Sequence, residues 1–240
     1  MSNETEYTLE NVLSPIIETI KELIIVHKND PLKPKPIIAV SGCKGVGKSY
    51  FTCTLEELLR KEDHSPIIIK QNGFIPFNET AQQGLFHIEP RLRWLDVHDV
   101  LEKIKNKTPE VAIPFRNKSS SPFSIEYQQT NFRDIELVIF DGTFSLTGPE
   151  SYNFFSHATL GIFLEPSERD IATWRWQRHS KKPIEAQKTK TQFDLDLAKD
   201  MEIYHSYILP TKKNASFVIY KDENHRYTVE SSRRPGFTSD

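Results

Sequence analysis

Residues 36–51, "PIIAVSGCKGVGKSYF", pass from an apolar run through a glycine-rich loop into "TCTLEELLRK" (52–61), which has the pattern of a helix. Gly42, Gly47, Lys48 and Ser49 fit G-x-x-x-x-G-K-[ST] in full, and Gly45 adds a glycine inside the loop. Glycines let successive backbone N–H groups turn inward around a phosphate, and the positive end of the following helix favours the same anion. A bare match to this pattern arises by chance. Here it lies between a buried strand and a helix, the context that gives it meaning.

The loop residues Gly42, Cys43, Lys44, Gly45, Val46, Gly47, Lys48, Ser49 and Tyr50 are therefore expected to hold the phosphates of a nucleoside triphosphate, with ATP as the expected nucleotide. Lys48 would reach the β and γ oxygens, and the Ser49 hydroxyl would serve Mg²⁺. "ELVIFDGTF" (136–144) ends a second apolar run on Asp141, where an acid can hold the same magnesium through water. An Asp before a Gly at a strand end is also a common turn signal, and the phosphate loop favours the metal role.

Five short apolar runs punctuate the chain: 37–41, 66–70, 137–140, 160–164 and 216–220. They are continuous rather than alternating, and helical patterns separate most of them, which predicts an α/β fold with a parallel sheet covered on both faces. Ahead of them, Leu9, Val12, Leu13, Ile16, Ile17, Ile20, Leu23 and Ile24 recur at helical spacing and predict an amphipathic helix over 8–27. Its polar face carries Glu10, Glu18 and Glu22 rather than a basic cluster, so it is expected to pack on the domain and not on a membrane. The organisation expected is a helix and linker over 1–35, one phosphate-binding domain over 36–228 and a tail over 229–240.

The chain of 240 residues has a formal net charge of -2, which gives no reason to expect nucleic acid as a partner. The N-terminus lacks the basic and apolar regions of a signal peptide, and no run approaches the roughly 20 apolar residues of a spanning helix. Cys43 and Cys53 sit in and beside the loop, where a disulfide would distort the backbone. Reduced thiols in the cytoplasm are expected, with no membrane partner and with self-association left open.

"EPSERDIATWRWQRHSKKP" (165–183) reads as a basic helix. Arg175 and Arg178 lie three apart on one face, with Lys182 a turn further, and such a cluster can close over transferring phosphates. A solvated charged helix is the alternative, supported by Glu165, Glu168 and Asp170. Trp174 and Trp176 cannot share the arginine face, so one is expected in the core. Asp194 and Asp196, two apart on a helix, do not face each other and are expected in solvent rather than on a metal.

With these motifs in hand, the chain resembles the phosphoribulokinase and uridine kinase family of P-loop kinases. The resemblance runs from residue 36 to about 225, through "SGCKGVGKSYF", "VIFDGTF", the two arginines of "RWQRH" and "YHSYILPTKKNASFVI" (204–219), the last similar to uridine kinases. The N-terminal helix, "LDVHDVLEKIK" (95–105), "TWRWQ" (173–177) and "YKDENHRY" (220–227) look more like D-glycerate kinases, whose matching segment carries Gly-Thr-His-Asp around His98 and Asp99. The resemblance implies a sheet in the order 2-3-1-4-5 with a mobile helical lid, and transfer of a γ-phosphate from ATP to a small-molecule hydroxyl. Lys48, Asp141, Arg175 and Arg178 would be its catalytic set.

Two departures stand out. After the second strand the family carries Asp-Ser-Phe-Tyr or Asp-Asp-Phe-Tyr, whose Asp takes the acceptor's proton, and "QNGFI" (71–75) has Asn72 there. An amide cannot act as that base. At "VAIPFRNK" (111–118), where relatives have Pro-x-Tyr-Asp, Phe115 and Arg116 reverse a charge near the acceptor. Asn72, His87, His98, Asp99 and Arg116 are the candidate acceptor contacts, with Asp96, Asp99 or Asp141 as possible stand-in bases. A nucleotide-binding pseudokinase with a regulatory or scaffolding role is the alternative reading. A GTPase is disfavoured because the chain has no N-K-x-D.

Overall fold

The computed structural model describes residues 8–30, 32–75, 92–115, 126–184 and 187–231. Helix α1 (Leu9–Asn29) is capped by Thr8, whose side chain accepts from the Asn11 N–H. It buries Leu9, Val12, Leu13, Ile16, Ile17, Ile20 and Ile24 on one stripe, as the spacing requires. Strand β1 (Ile37–Gly42) and helix α2 (Lys48–Lys61) flank the glycine loop. The remaining long elements are β2 (Pro66–Lys70), α3 (Trp94–Lys105), β3 (Glu110–Phe115), β4 (Glu126–Asn131), β5 (Leu137–Asp141), β6 (Leu160–Pro166), α4 (Glu168–Ser180), α5 (Lys190–Ile203), β7 (Phe217–Lys221) and β8 (Tyr227–Ser231).

The main sheet runs β2-β5-β1-β6-β7-β8. Its first five members are parallel and realise the order 2-3-1-4-5 of the five apolar runs. Successive side chains of β1 point to opposite faces: Ile37 and Ala39 enter a core built with α3 and Phe144, Tyr152 and Phe154, whereas Ile38 and Val40 meet α1 and α2. Burial on both sides is why these runs do not alternate.

Two features go beyond the five runs. β8 adds an antiparallel edge through the turn Asp222–Arg226, where the Asp222 carboxylate accepts from the Asn224 and Arg226 N–H groups. The tail expected from residue 229 is thus a strand as far as Ser231. β3 and β4 form a separate antiparallel hairpin that packs on α3 and on a short turn, Gln71–Phe74. Among the described residues, no helix is long and apolar enough to cross a membrane.

α3 places neither His98 nor Asp99 on the cleft beside the phosphate loop. Asp99 is exposed and pairs with Lys103 one turn on. His98 Nε2 donates to the Tyr152 carbonyl at 2.7 Å, and its Nδ1 lies 2.7 Å from His157 Nε2. Both residues therefore serve the packing of α3 on the loop after β5.

The His157 side chain is only 8% exposed. Burial, then the His98 and Lys105 charges, push its imidazole down to about 4, against a weaker opposite pull from Glu102. Below the ordinary value of 6.5 the unfolded chain takes up a proton here that the folded chain refuses until about 4. This contribution to stability is complete above pH 6.5 and is lost as pH falls toward 4. Thermal unfolding midpoints of the wild type should fall across that window more steeply than those of His157→Gln; equal slopes would show that the pair is not responsible.

Candidate functional site

The phosphate loop is a break in the hydrogen-bonded backbone at the carboxyl edge of the sheet. Gly42, Gly45 and Gly47 hold φ of 143°, 91° and 104°, a region open to glycine and costly for other residues. Side chains cap α1, α4 and α5, but α2 begins at Gly47 without one and has no acid in its first turn. Its leading N–H groups thus remain available to an anion.

Lys48 Nζ lies across this loop, donating to the carbonyls of Gly42 at 2.8 Å and Cys43 at 2.9 Å. Burial pushes its ammonium down to about 8, with Asp141 pulling the other way. Ser49 Oγ donates to Asp141 Oδ2 at 2.9 Å, and the Asp141 side chain is buried at the end of β5. A hydroxyl and a carboxylate converging beside a phosphate cradle fit a hard divalent cation such as Mg²⁺.

Neighbouring contacts hold this geometry. Ser41 Oγ donates to the Thr143 carbonyl, and the buried Gln71 accepts from the Phe144 N–H, so the ends of β1, β2 and β5 are tied together. Gly73 packs beneath the β3 hairpin: a Cβ there would lie 2.4 Å from the Pro114 carbonyl oxygen. Where the family resemblance puts a serine or an aspartate, this chain has room only for glycine.

A cleft of about 460 Å³ is lined by Lys48, Ser49, Tyr50, Asn72, Asp141 and Arg178, together with Lys44, Lys70 and part of the glycine loop. Asn72 therefore faces the site. Cys43 and Val46 do not line it: both are 1% exposed and support the loop from beneath, and burial pushes the Cys43 thiol up to about 11. Asp141 is the one carboxylate among the described residues lining the cleft. Asp96, which pairs with Arg93, and Asp99 do not reach it. His87 and Arg116 lie outside the described residues.

A second hollow, about 320 Å³, opens beneath α4 and shares Lys44, Gly45 and Arg178 with the first. The Arg175 stem rests on the loop, since a Cβ at Gly45 would lie 2.7 Å from its Cγ. Its Nη2 donates to Asp200 at 2.5 Å, and the other oxygen of Asp200 accepts from Lys44 at 2.8 Å. Arg175 Nη1 is buried and has no partner among the described residues. α4 itself buries only Asp170, Ile171 and His179, and α5 only Phe193, so this pair of helices is weakly anchored to the core.

Neither Trp174 nor Trp176 is in the core. Trp174 is half-buried and stacks on His225 with Lys221 Nζ 4.3 Å from its ring centroid, and Trp176 packs edge-on against Phe193. Asp194 and Asp196 pair with Lys190 and Lys188 at the surface. The acid that matters on α5 is Asp200, and Lys70 is the cleft cation that the strand pattern alone did not mark. Asp200 meets Lys44 across 156 positions of sequence, a juxtaposition that only the fold provides.

No family model matches the chain. A pantothenate kinase from Rhodococcus jostii is 28% identical over 221 residues, covering 79% of this chain and 68% of that protein. The D-glycerate 3-kinase of Cryptococcus neoformans superposes with a TM-score of 0.68 at 13% identity, covering 91% of this chain and 98% of that one. The phosphoribulokinase of Rhodobacter spheroides gives a TM-score of 0.62 at 15% identity, covering 84% and 74%. The chain thus has the fold of these P-loop kinases, and in sequence it is similar to pantothenate kinases.

Proposed function

We propose that the protein transfers the γ-phosphoryl group of ATP to a hydroxyl of a small molecule in the cytoplasm. The observation that carries this reading is the convergence of Lys48, Ser49, Asp141 and Arg178 on one cleft, with Arg175 laid over the loop that forms its floor. A binding protein needs to hold a triphosphate. It does not need cations placed where charge moves during transfer.

In the transfer itself, a bond forms from the acceptor oxygen to the γ-phosphorus, the bond to the β-bridging oxygen breaks, and ADP departs. Magnesium held by Ser49 and Asp141 would neutralise phosphate charge. The loop N–H groups and Lys48 orient the triphosphate, while Arg178 and Arg175 meet the charge on the transferring group from the lid side. The transition state is loose, so the acceptor hydroxyl keeps its proton until late and can release it to water. Asn72 thereby costs rate without forbidding reaction.

Asn72 also supports a second reading, a nucleotide-binding pseudokinase, because the cleft has no spare carboxylate among its described residues. ADP release measured against D-glycerate, pantothenate, sugar phosphates and nucleosides separates the two. Acceptor-dependent turnover should appear and should fall about 10²–10³-fold in Lys48→Ala, the scale for removing one charge-stabilising donor. ATP binding without acceptor-dependent turnover would favour the pseudokinase.

Asp200 is the positioning residue of this scheme. Asp200→Asn should lower kcat about tenfold, as Arg175 and Lys44 lose their common anchor. The KM for ATP should not rise, because a negative charge near the triphosphate is removed at the same time. Asp200→Glu should restore part of kcat. A parallel loss of ATP affinity would instead mark Asp200 as a structural support of the loop.

A further inference from the structure

The end of β2 presents a charge that lies outside the phosphate loop. Lys70 is its last residue, in register with Asp141 on β5, and Val40 on β1 is in register with Asp141 from the other side. Adjacent strands lie 4.7–4.9 Å apart, so Lys70 stands two strands, roughly 10 Å, from the strand that carries the phosphate loop. Asp141 lies between them. Along the sheet edge the order is phosphate loop, Asp141, then Lys70, so on the kinase reading Lys70 stands on the side of the acid away from the triphosphate.

Lys70 is exposed and lines the same cleft as Asn72, and its ammonium has no hydrogen bond or ion pair among the described residues. It sits on a fixed frame. The next residue, Gln71, is buried and bonded to the Phe144 N–H, and Gly73 is pinned under Pro114. Asn72 lines the same cleft and, as an amide, adds no negative charge to compete with a ligand for Lys70.

We propose that Lys70 anchors the acceptor through an anionic group, so that the acceptor carries a carboxylate or a phosphate monoester in addition to the hydroxyl that is phosphorylated. Calling this anion an acceptor rests on the kinase reading above; the anion site itself rests on the position of Lys70. Uncharged nucleosides are poor ligands for such a cleft.

Calorimetry with Mg²⁺ and a non-hydrolysable ATP analogue tests it on matched pairs: D-glycerate and glycerol, pantothenate and pantothenol, ribose 5-phosphate and ribose. At least one anion should bind tenfold or more tightly than its neutral partner. That preference should vanish in Lys70→Met, weaken in Asn72→Asp and persist in Lys70→Arg, with affinity for the analogue unchanged in Lys70→Met. The pairs also distinguish a carboxylate from a phosphate ligand. Equal binding of the neutral partners, a preference that survives in Lys70→Met, or no binding by any of the six compounds would overturn the proposal. Lys70-dependent anion binding without ADP release would contradict the kinase reading and leave the anion site standing, whereas turnover of a neutral acceptor would do the reverse.

Discussion

The hydrogen bond from Ser49 to Asp141 joins the two halves of this site. Ser49 begins α2, whose position follows from β1 and the glycine loop, and Asp141 ends β5, the strand beside β1. Because β1 and β5 are parallel and in register, both strands deliver their carboxyl ends to one edge, and a hydroxyl and a carboxylate arrive within hydrogen-bond reach. Ligands in open α/β sheets gather at that edge for the same reason. The burial of Asp141 and the lowered affinity of Lys48 for its proton follow from placing charged groups where two packed cores meet.

The lid is built on a different balance. α4 and α5 bury few apolar side chains, so their position over the loop depends on polar contacts, chiefly the carboxylate of Asp200 between Lys44 and Arg175. Such a contact is specific in direction and modest in energy, because Lys44 is nearly half exposed.

Much of the fold was legible because it is encoded locally. Ile37, Ala39 and their neighbours form an unbroken apolar run, which is what a strand buried on both faces demands, and the glycine pattern beside it names its own chemistry. β4 was not legible: Glu126–Asn131 reads "EYQQTN", buries no residue fully and is a strand only because β3 pairs with it. β8 is similar, with Tyr227 its one fully buried side chain. In the site, the glycine loop, Asp141 and the two arginines announce themselves by spacing, whereas Asp200 and Lys70 act through neighbours distant in sequence. His98 is a converse case: a histidine in a suggestive motif whose partners, Tyr152 and His157, only the fold reveals.

The central claim is that the cleft moves a phosphoryl group to a small molecule rather than only holding a nucleotide. Incubating the protein with Mg²⁺, ATP labelled at the γ-phosphate and a mixture of small hydroxy acids and sugar phosphates, then separating the products, reads the fate of that group directly. Label in an acid-stable, low-molecular-weight ester is the expected result. Label found only in ATP and inorganic phosphate would contradict it.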